Sequence, residues 1–401
     1  TMRGVTRLWF GLFLTTVALA DRVAELHLLD LGRYPGARCL DGSAAGFYLR
    51  NASAAENASR WTFSLEGGGE CIDGPSCTSR STTDLGSSLN WNKTMYLGQF
   101  QSDEVSHNPD FSTWSTVFIK YCSGDLHLGA QSSPGETVEG LQFSGHLIVE
   151  AVLDTLIASG DLARATEIVW SGDSAGGMGS FAHIDFVADK ISGARVVGAP
   201  IGGFYFSNNW TYTSQSPAPV KYIPWTFEAL EGYYKFWSAW VPTRCASSSE
   251  HAQAPWQCMI SVASYATVKS EVFVIEAQTD EVVMPLHDGL PAVWNEASKE
   301  CLNSVHGCPR EIVDYMDIWR SHMWASLQQL VISSKRDGLF HPSCLMHCSF
   351  ATTSPLIHDA SYIQAFGDWM FGRGSRNLWV DTCGVMCNPT CQPRAQTAPI
   401  A

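Results

Sequence analysis

The chain has 401 residues, 45% hydrophobic and only 16% charged, which is enough to bury a large core in one big α/β domain or two smaller ones. A net charge of −14 argues against a nucleic-acid or anionic-membrane partner, since both demand clustered Lys and Arg. No long basic run, internal repeat or low-complexity tract breaks the sequence.

Residues 1–20 read as a signal peptide. Arg3 and Arg7 form a positive start, "LWFGLFLTTVALA" (8–20) an apolar stretch, and Ala18-Leu-Ala20 a small-residue cleavage site before Asp21. The apolar stretch is too short to span a bilayer comfortably, so secretion without a membrane span is expected, leaving residues 21–401 as a single domain. In an oxidising compartment the 13 cysteines are disulfide material before they are metal ligands, and the odd count leaves at least one unpaired. Asn51, Asn57, Asn92 and Asn209 each open an N-x-[ST] sequon, fitting a glycosylated surface.

Short β-rich runs then alternate with helical periodicity. "RWTFSL" (60–65), "STVFIKY" (115–121), "TEIVWS" (166–171), "ARVVGAP" (194–200) and "SEVFVIEA" (270–277) read as buried strands. "HLIVEAVLDTLIASG" (146–160) has apolar residues at helical spacing with Gly160 as a stop; further helices are expected over "FAHIDFVADKI" after Ser180 and across 311–333. Strands separated by helices imply a mostly parallel sheet with helices on both faces. Residues 204–260 depart from this pattern. Phe204, Tyr205, Trp210, Trp225, Tyr233, Trp237, Trp240 and Trp256 are spread among loop-forming residues, which reads as a cap inserted over the sheet's carboxyl edge.

The chemistry centres on "EIVWSGDSAGGMGSF" (167–181). Gly172-Asp-Ser174-Ala-Gly176 is a G-x-S-x-G pentapeptide with a strand before it and a helix after it, the setting of a nucleophile elbow. "SLEGGGEC" (64–71) ends an early strand in three glycines, whose bare N–H groups, with that of Ala175, suit an oxyanion. In the hydrolase order of Ser, acid, His, the acid after "SEVFVIEA" falls on Asp280, with Glu276, Glu281 and Asp288 as rivals. Either His341 or His347 fits the base; His183 and His287 break the order.

Six blocks in order make the resemblance specific. "ARCLDGSAAGFYL" (37–49), "LEGGGEC…C…R…LGSS" (65–88), "NPDFSTW…YCSGD" (108–125), "SGDSAGG" (171–177), "HPSCLMHC" (341–348) and "CGVMCNPTC" (383–391) resemble the pectin acetylesterase family, which includes the Notum carboxylesterases, over nearly all of the mature chain. The resemblance implies an α/β-hydrolase-like fold and ester hydrolysis through an acyl-enzyme, with no metal or organic cofactor. Carried over residue by residue, it puts the nucleophile at Ser174, the base at His347 of S-C-x-x-H-C, the acid at Asp280, and the oxyanion donors at the N–H groups of Gly68, Gly69 and Ala175. His341 has no counterpart in the pattern. Two departures stand out: Glu70 where plant members carry Trp, and Asp173 where they often carry Cys. Glu70 is expected to face solvent or to select a different substrate, and Asp173 to be structural.

Cysteine spacing points to Cys71 with Cys77 beside the glycines, Cys301 with Cys308, Cys245 with Cys258, and more loosely Cys39 with Cys122. Cys383, Cys387 and Cys391 in the tail (383–401) read as disulfide partners before zinc ligands. The expected activity is a secreted serine esterase acting on O-acetyl esters of pectin or another polysaccharide. The alternatives are removal of a fatty acyl group from a lipidated protein, as in Notum, and a silent glycan-binding protein on a hydrolase fold.

Overall fold

The strand signals in the sequence assemble into one ten-stranded sheet. A computed structural model describes residues 23–131, 140–207, 223–290, 301, 305–334 and 336–391. The strands are β1 (Ala24–Leu28), β2 (Gly46–Arg50), β3 (Arg60–Leu65), β4 (Thr94–Met95), β5 (Ser115–Ile119), β6 (Glu167–Asp173), β7 (Arg195–Ile201), β8 (Glu271–Ile275), β9 (Gly338–His341) and β10 (Leu378–Val380), in the order β10-β9-β8-β7-β6-β3-β5-β2-β1-β4. From β10 to β5 every pairing is parallel; β2, β1 and β4 extend the sheet antiparallel. The expected signal peptide, Asn209, and Trp210 of the expected cap lie outside the described residues.

Alternation along the central strands explains why both faces are covered. In β6, Ile168 and Trp170 point into one core and Val169 into the other; in β8, Val272 and Val274 are opposed by Phe273 and Ile275. The helices are α1 (Gly74–Arg80), α2 (Gly145–Ala158), α3 (Ala175–Lys190), α4 (Phe227–Phe236), α5 (Thr243–Ala246), α6 (Ser261–Tyr265), α7 (Val283–Leu286), α8 (Arg310–Ser334) and α9 (Tyr362–Met370). Apolar stripes of α2, α3 and α8 fill the larger core, and α9 with Phe100 and Phe111 fills the smaller one. The helix expected after Ser180 starts six residues earlier, at Ala175, because its first turn is built from Gly176, Gly177 and Gly179, which carry no apolar periodicity. Among the described residues no helix is long and apolar enough to cross a membrane.

The chain order around β3 positions the site. From β3 the chain runs to the far edge as β4, returns as β5 on one side of β3, then crosses to β6 on the other. The carboxyl ends of β3 and β6 therefore border the crevice in which open α/β sheets hold their ligands. The segment Phe204–Phe206 and residues 223–260 add no strand to the sheet; Arg244 pairs with Asp185 and Trp240 stacks on His183, both on α3. Trp237 donates its indole N–H to Cys71 O (2.9 Å), Trp240 N–H donates to Leu128 O (2.7 Å), and Ala239 bridges to Gly129.

Candidate active site

Ser174 sits between β6 and α3 at φ 55° and ψ −120°, a conformation that few residues other than Gly adopt. Its N–H donates to Ile201 O (3.0 Å), and its own carbonyl accepts the N–H of Met178 (3.0 Å). The turn is this sharp because its neighbours have no side chains. A Cβ on Gly172 would overlap Gly176 O, and one on Gly176 would overlap Leu65 O. The strained turn lifts the Ser174 hydroxyl clear of the sheet.

Two other strand ends meet it. The loops after β8 and β9 are stitched together: Thr279 Oγ1 donates to Cys344 O (2.9 Å), Met346 N–H donates to Thr279 O (3.2 Å), and Thr279 bridges Leu345 in parallel. That stitching carries His347 to Asp280. His347 Nδ1–H donates to Asp280 Oδ2 (2.6 Å), and His347 Nε2 accepts the Ser174 hydroxyl (2.7 Å). Asp280 is fully buried, and its Oδ1 accepts the N–H groups of Val282 (2.7 Å) and Val283 (2.8 Å) at the start of α7. Burial disfavours the imidazolium of His347. The charge and hydrogen bond of Asp280, with the fields of Glu281 and Asp173, outweigh it and raise the pKa above the ordinary value.

The rivals for these positions are used elsewhere. His341 Nδ1–H donates to Glu276 O (2.7 Å), its ring stacks on Trp324, and burial depresses its pKa to about 4. Glu276 accepts the N–H of Phe204 (2.8 Å), and burial with the nearby Asp280 charge pushes its pKa well up. Asp288 accepts the indole N–H of Trp319, and burial raises it to about 8. His183 is hydrogen-bonded within the core to His146 (3.0 Å) and Gly179 O (2.8 Å). Glu281 adjoins Asp280, and its charge helps to raise the pKa of His347.

The glycine loop after β3 adjoins Ser174. Gly68 and Gly69 have φ of 135° and 67°, open only to Gly at low cost, and Gly67 lies against Asp173 and Ser174 Cβ. Neither Gly68 nor Gly69 gives its N–H to a backbone carbonyl among the described residues. The loop is held by groups that spacing alone did not reveal. Glu66 pairs with Lys120 and accepts Tyr121 N–H (2.7 Å); Arg80 donates to Gly68 O (2.8 Å); His127, kept neutral by burial with a pKa of about 3, donates Nε2–H to Glu66 O (2.9 Å).

This arrangement has relatives. The family model described as Pectinacetylesterase matches residues 18–392. The chain belongs to the pectinacetylesterase family. Pectin acetylesterase 5 of Arabidopsis thaliana is 29% identical over 387 residues, covering 92% of this chain and 85% of its own. Palmitoleoyl-protein carboxylesterase notum1 of Xenopus laevis is 32% identical over 268 residues, 65% of this chain and 52% of its own. Among solved structures, the Wnt deacylase Notum from Drosophila matches with a TM-score of 0.75 and 27% identity over 92% of this chain and all of that one. The chain is thus a carboxylic ester hydrolase with an α/β-hydrolase-like fold.

Within this member of the family, the two departures from plant members resolve differently. Asp173 ends β6, with its carbonyl and Oδ2 filling the space that a side chain on Gly67 would need. Burial and the Glu66 charge raise its pKa to about 6. Glu70 does not face solvent: its side chain is 4% exposed and turned inward beside His287. The φ values of Gly68 and Gly69 set that direction, and sequence cannot read them. Six disulfides join Cys39 to Cys122, Cys71 to Cys77, Cys245 to Cys258, Cys301 to Cys308, Cys344 to Cys391 and Cys383 to Cys387, leaving Cys348 free. The cap aromatics Trp225, Tyr233 and Trp237 are buried core.

Proposed function

We infer that this enzyme is a secreted serine esterase that removes acetyl groups from the hydroxyls of an extracellular polysaccharide. The observation that carries the reading is the continuous relay from Asp280 through His347 to Ser174 on a strained elbow beside a glycine loop. Ser174 Oγ attacks the ester carbonyl as His347 Nε2 takes its proton, and Asp280 holds the tautomer and stabilises the imidazolium. The N–H groups of Gly68, Gly69 and Ala175 receive the oxyanion, each such donor being worth roughly 3 kcal/mol of the barrier. His347 returns the proton to the leaving sugar hydroxyl, and water then repeats the attack on the acyl-enzyme. Six disulfides support an oxidising destination. Acetyl is taken over a fatty acyl group because the family model that matches residues 18–392 is described as Pectinacetylesterase; coverage does not separate the two, since pectin acetylesterase 5 of Arabidopsis thaliana and the human palmitoleoyl-protein carboxylesterase each align over 92% of the chain.

The test is a series of p-nitrophenyl esters from acetate to palmitate on the purified protein and its Ser174→Ala variant. The expected profile peaks at acetate and vanishes in the variant. A peak at eight carbons or more would replace this reading with removal of a fatty acyl group. No turnover in folded protein that also resists a fluorophosphonate would leave a binding protein on a hydrolase fold.

A further inference from the structure

Glu70 closes the glycine loop with its side chain 4% exposed, and its Oε1 has no hydrogen-bond partner among the described residues. A buried carboxylate without a donor is costly, so native proteins normally complete it with one. None of its neighbours does so here. His287 Nδ1 is 4.0 Å away, but that N–H donates to Ile223 O (2.9 Å), and burial holds the imidazole below its usual pKa, hence neutral at pH 7. Lys120 is taken by Glu66, and Arg80 by Gly68 O and Leu85 O. His287 and Tyr205 lie beside Glu70 and, with Trp225, whose indole N–H also lacks a partner among the described residues, form an aromatic cluster with ring centroids 5.5 to 5.6 Å apart. The charges of Glu70 and Asp280 both reach Tyr205 and His287, so this carboxylate, with its one unpartnered oxygen, shares the cluster with the acid of the relay.

We propose that Glu70 is a specificity-determining residue whose carboxylate accepts a hydrogen bond from a substrate hydroxyl near the ester, selecting acetyl esters of neutral, polyhydroxylated sugars over those of uronic acids. The inference rests on the acetyl-ester reading above and narrows it. An ionised carboxylate only accepts, so its complement is a donor, and a sugar hydroxyl next to an acetylated position is one. A polyuronate would bring further negative charge to a site already holding Glu70, Asp173 and Asp280, in a chain of net charge −14. A fatty chain packed on Glu70 would leave the carboxylate unpaired.

The experiment compares full-length protein with Glu70→Gln and Glu70→Leu on four esters: an acetylated methyl xyloside, an acetylated galacturonate oligomer, p-nitrophenyl acetate and p-nitrophenyl octanoate. The readout is the ratio of kcat/KM on each ester to that on p-nitrophenyl acetate, with thermal melting and fluorophosphonate labelling as folding controls. The wild type is expected to favour the xyloside over the galacturonate at least tenfold. The xyloside ratio should fall about 10- to 100-fold in Glu70→Leu, and less in Glu70→Gln, which keeps a neutral acceptor. The octanoate ratio should rise in Glu70→Leu. Unchanged ratios, equal loss on all esters, or a wild type that prefers the galacturonate would each overturn the role of Glu70. A wild type that cleaves octanoate and no sugar acetate would instead end the acetyl-ester reading, and the proposal with it.

Discussion

His347, the base of the proposed mechanism, lies in a field of carboxylates, and its proton affinity depends on how many of them are charged. Asp280 touches it, while Glu281 and Asp173 act across space. A general base must be neutral, so under the proposed mechanism kcat/KM is lost as pH falls through the folded pKa of His347, and raising that pKa moves the acid limb upward. Asp173, itself titrating near 6, adds to that rise wherever it is ionised. Asp173→Asn is therefore expected to move the acid limb down by roughly half a unit, a modest Coulomb effect at this separation. A pH profile of kcat/KM reads it, and an upward shift would mean that Asp173 is not part of the field on His347. Removing the base itself is a different order of change. His347→Ala should cost several powers of ten in kcat, whereas His341→Ala, which loses a stacked core imidazole, should show itself in melting temperature. The contrast between the two histidines was legible only through the S-C-x-x-H-C pattern, since spacing left both open. Glu70 stood out in the sequence as a departure from plant members, but the direction of its side chain was not legible, because it follows two left-handed glycines.

The elements that sequence revealed best are those buried on both faces. β3 runs over Arg60–Leu65 as the apolar pattern predicts, and β6, β7, β8, α2 and α8 fall within two residues of their expected ends, or stop short of them by two. β1 and β4 escaped because they are short, lie at the open edge and bury little; β9 and β10 are three or four residues long, too short for any periodicity. Packing at the elbow decides which glycines matter. At Gly176 a methyl group would meet backbone of β3, which cannot move without taking the glycine loop with it. Gly176→Ala should destabilise the fold by about 1–3 kcal/mol and abolish most turnover. Gly232, exposed on α4 with nothing near its missing Cβ, is the control. Gly232→Ala should raise stability by about 0.5–1 kcal/mol, because alanine gives up less backbone freedom on entering the helix. Denaturant melts with kcat on both variants check the pair; equal effects would mean that the elbow is looser than its glycines imply. Surface chemistry separates in the same way. Asn51 and Asn92 are exposed, while Asn57 Nδ2 is engaged by Thr113 (2.7 Å), so intact-mass mapping should find glycan at the first two before the third.

At the scale of the molecule, the disulfides divide into those that hold the fold and those that hold the site. Cys39–Cys122 joins residues 83 apart and ties the start of the domain to the end of β5, so its loss should release about 4–5 kcal/mol of chain-entropy stabilisation. Cys71–Cys77 spans six residues, and the same reasoning gives it only about 2 kcal/mol. Its place is different, though. It fixes the residue after Glu70 to α1, whose Arg80 donates to Gly68 O, and Cys71 O accepts the indole N–H of Trp237. Stability and turnover should therefore respond in opposite order. The Cys39→Ser/Cys122→Ser pair is expected to lower the melting temperature more, with kcat at a permissive temperature within about threefold of the parent. The Cys71→Ser/Cys77→Ser pair is expected to melt closer to the parent and to lose tenfold or more in kcat, as the preorganised oxyanion donors loosen. Thermal melts and acetate-ester kinetics on the two pairs decide it. If both quantities fall in the same order, the small bridge is a staple of the fold like the large one, and the order of the glycine loop comes from Glu66, Lys120 and Arg80 alone.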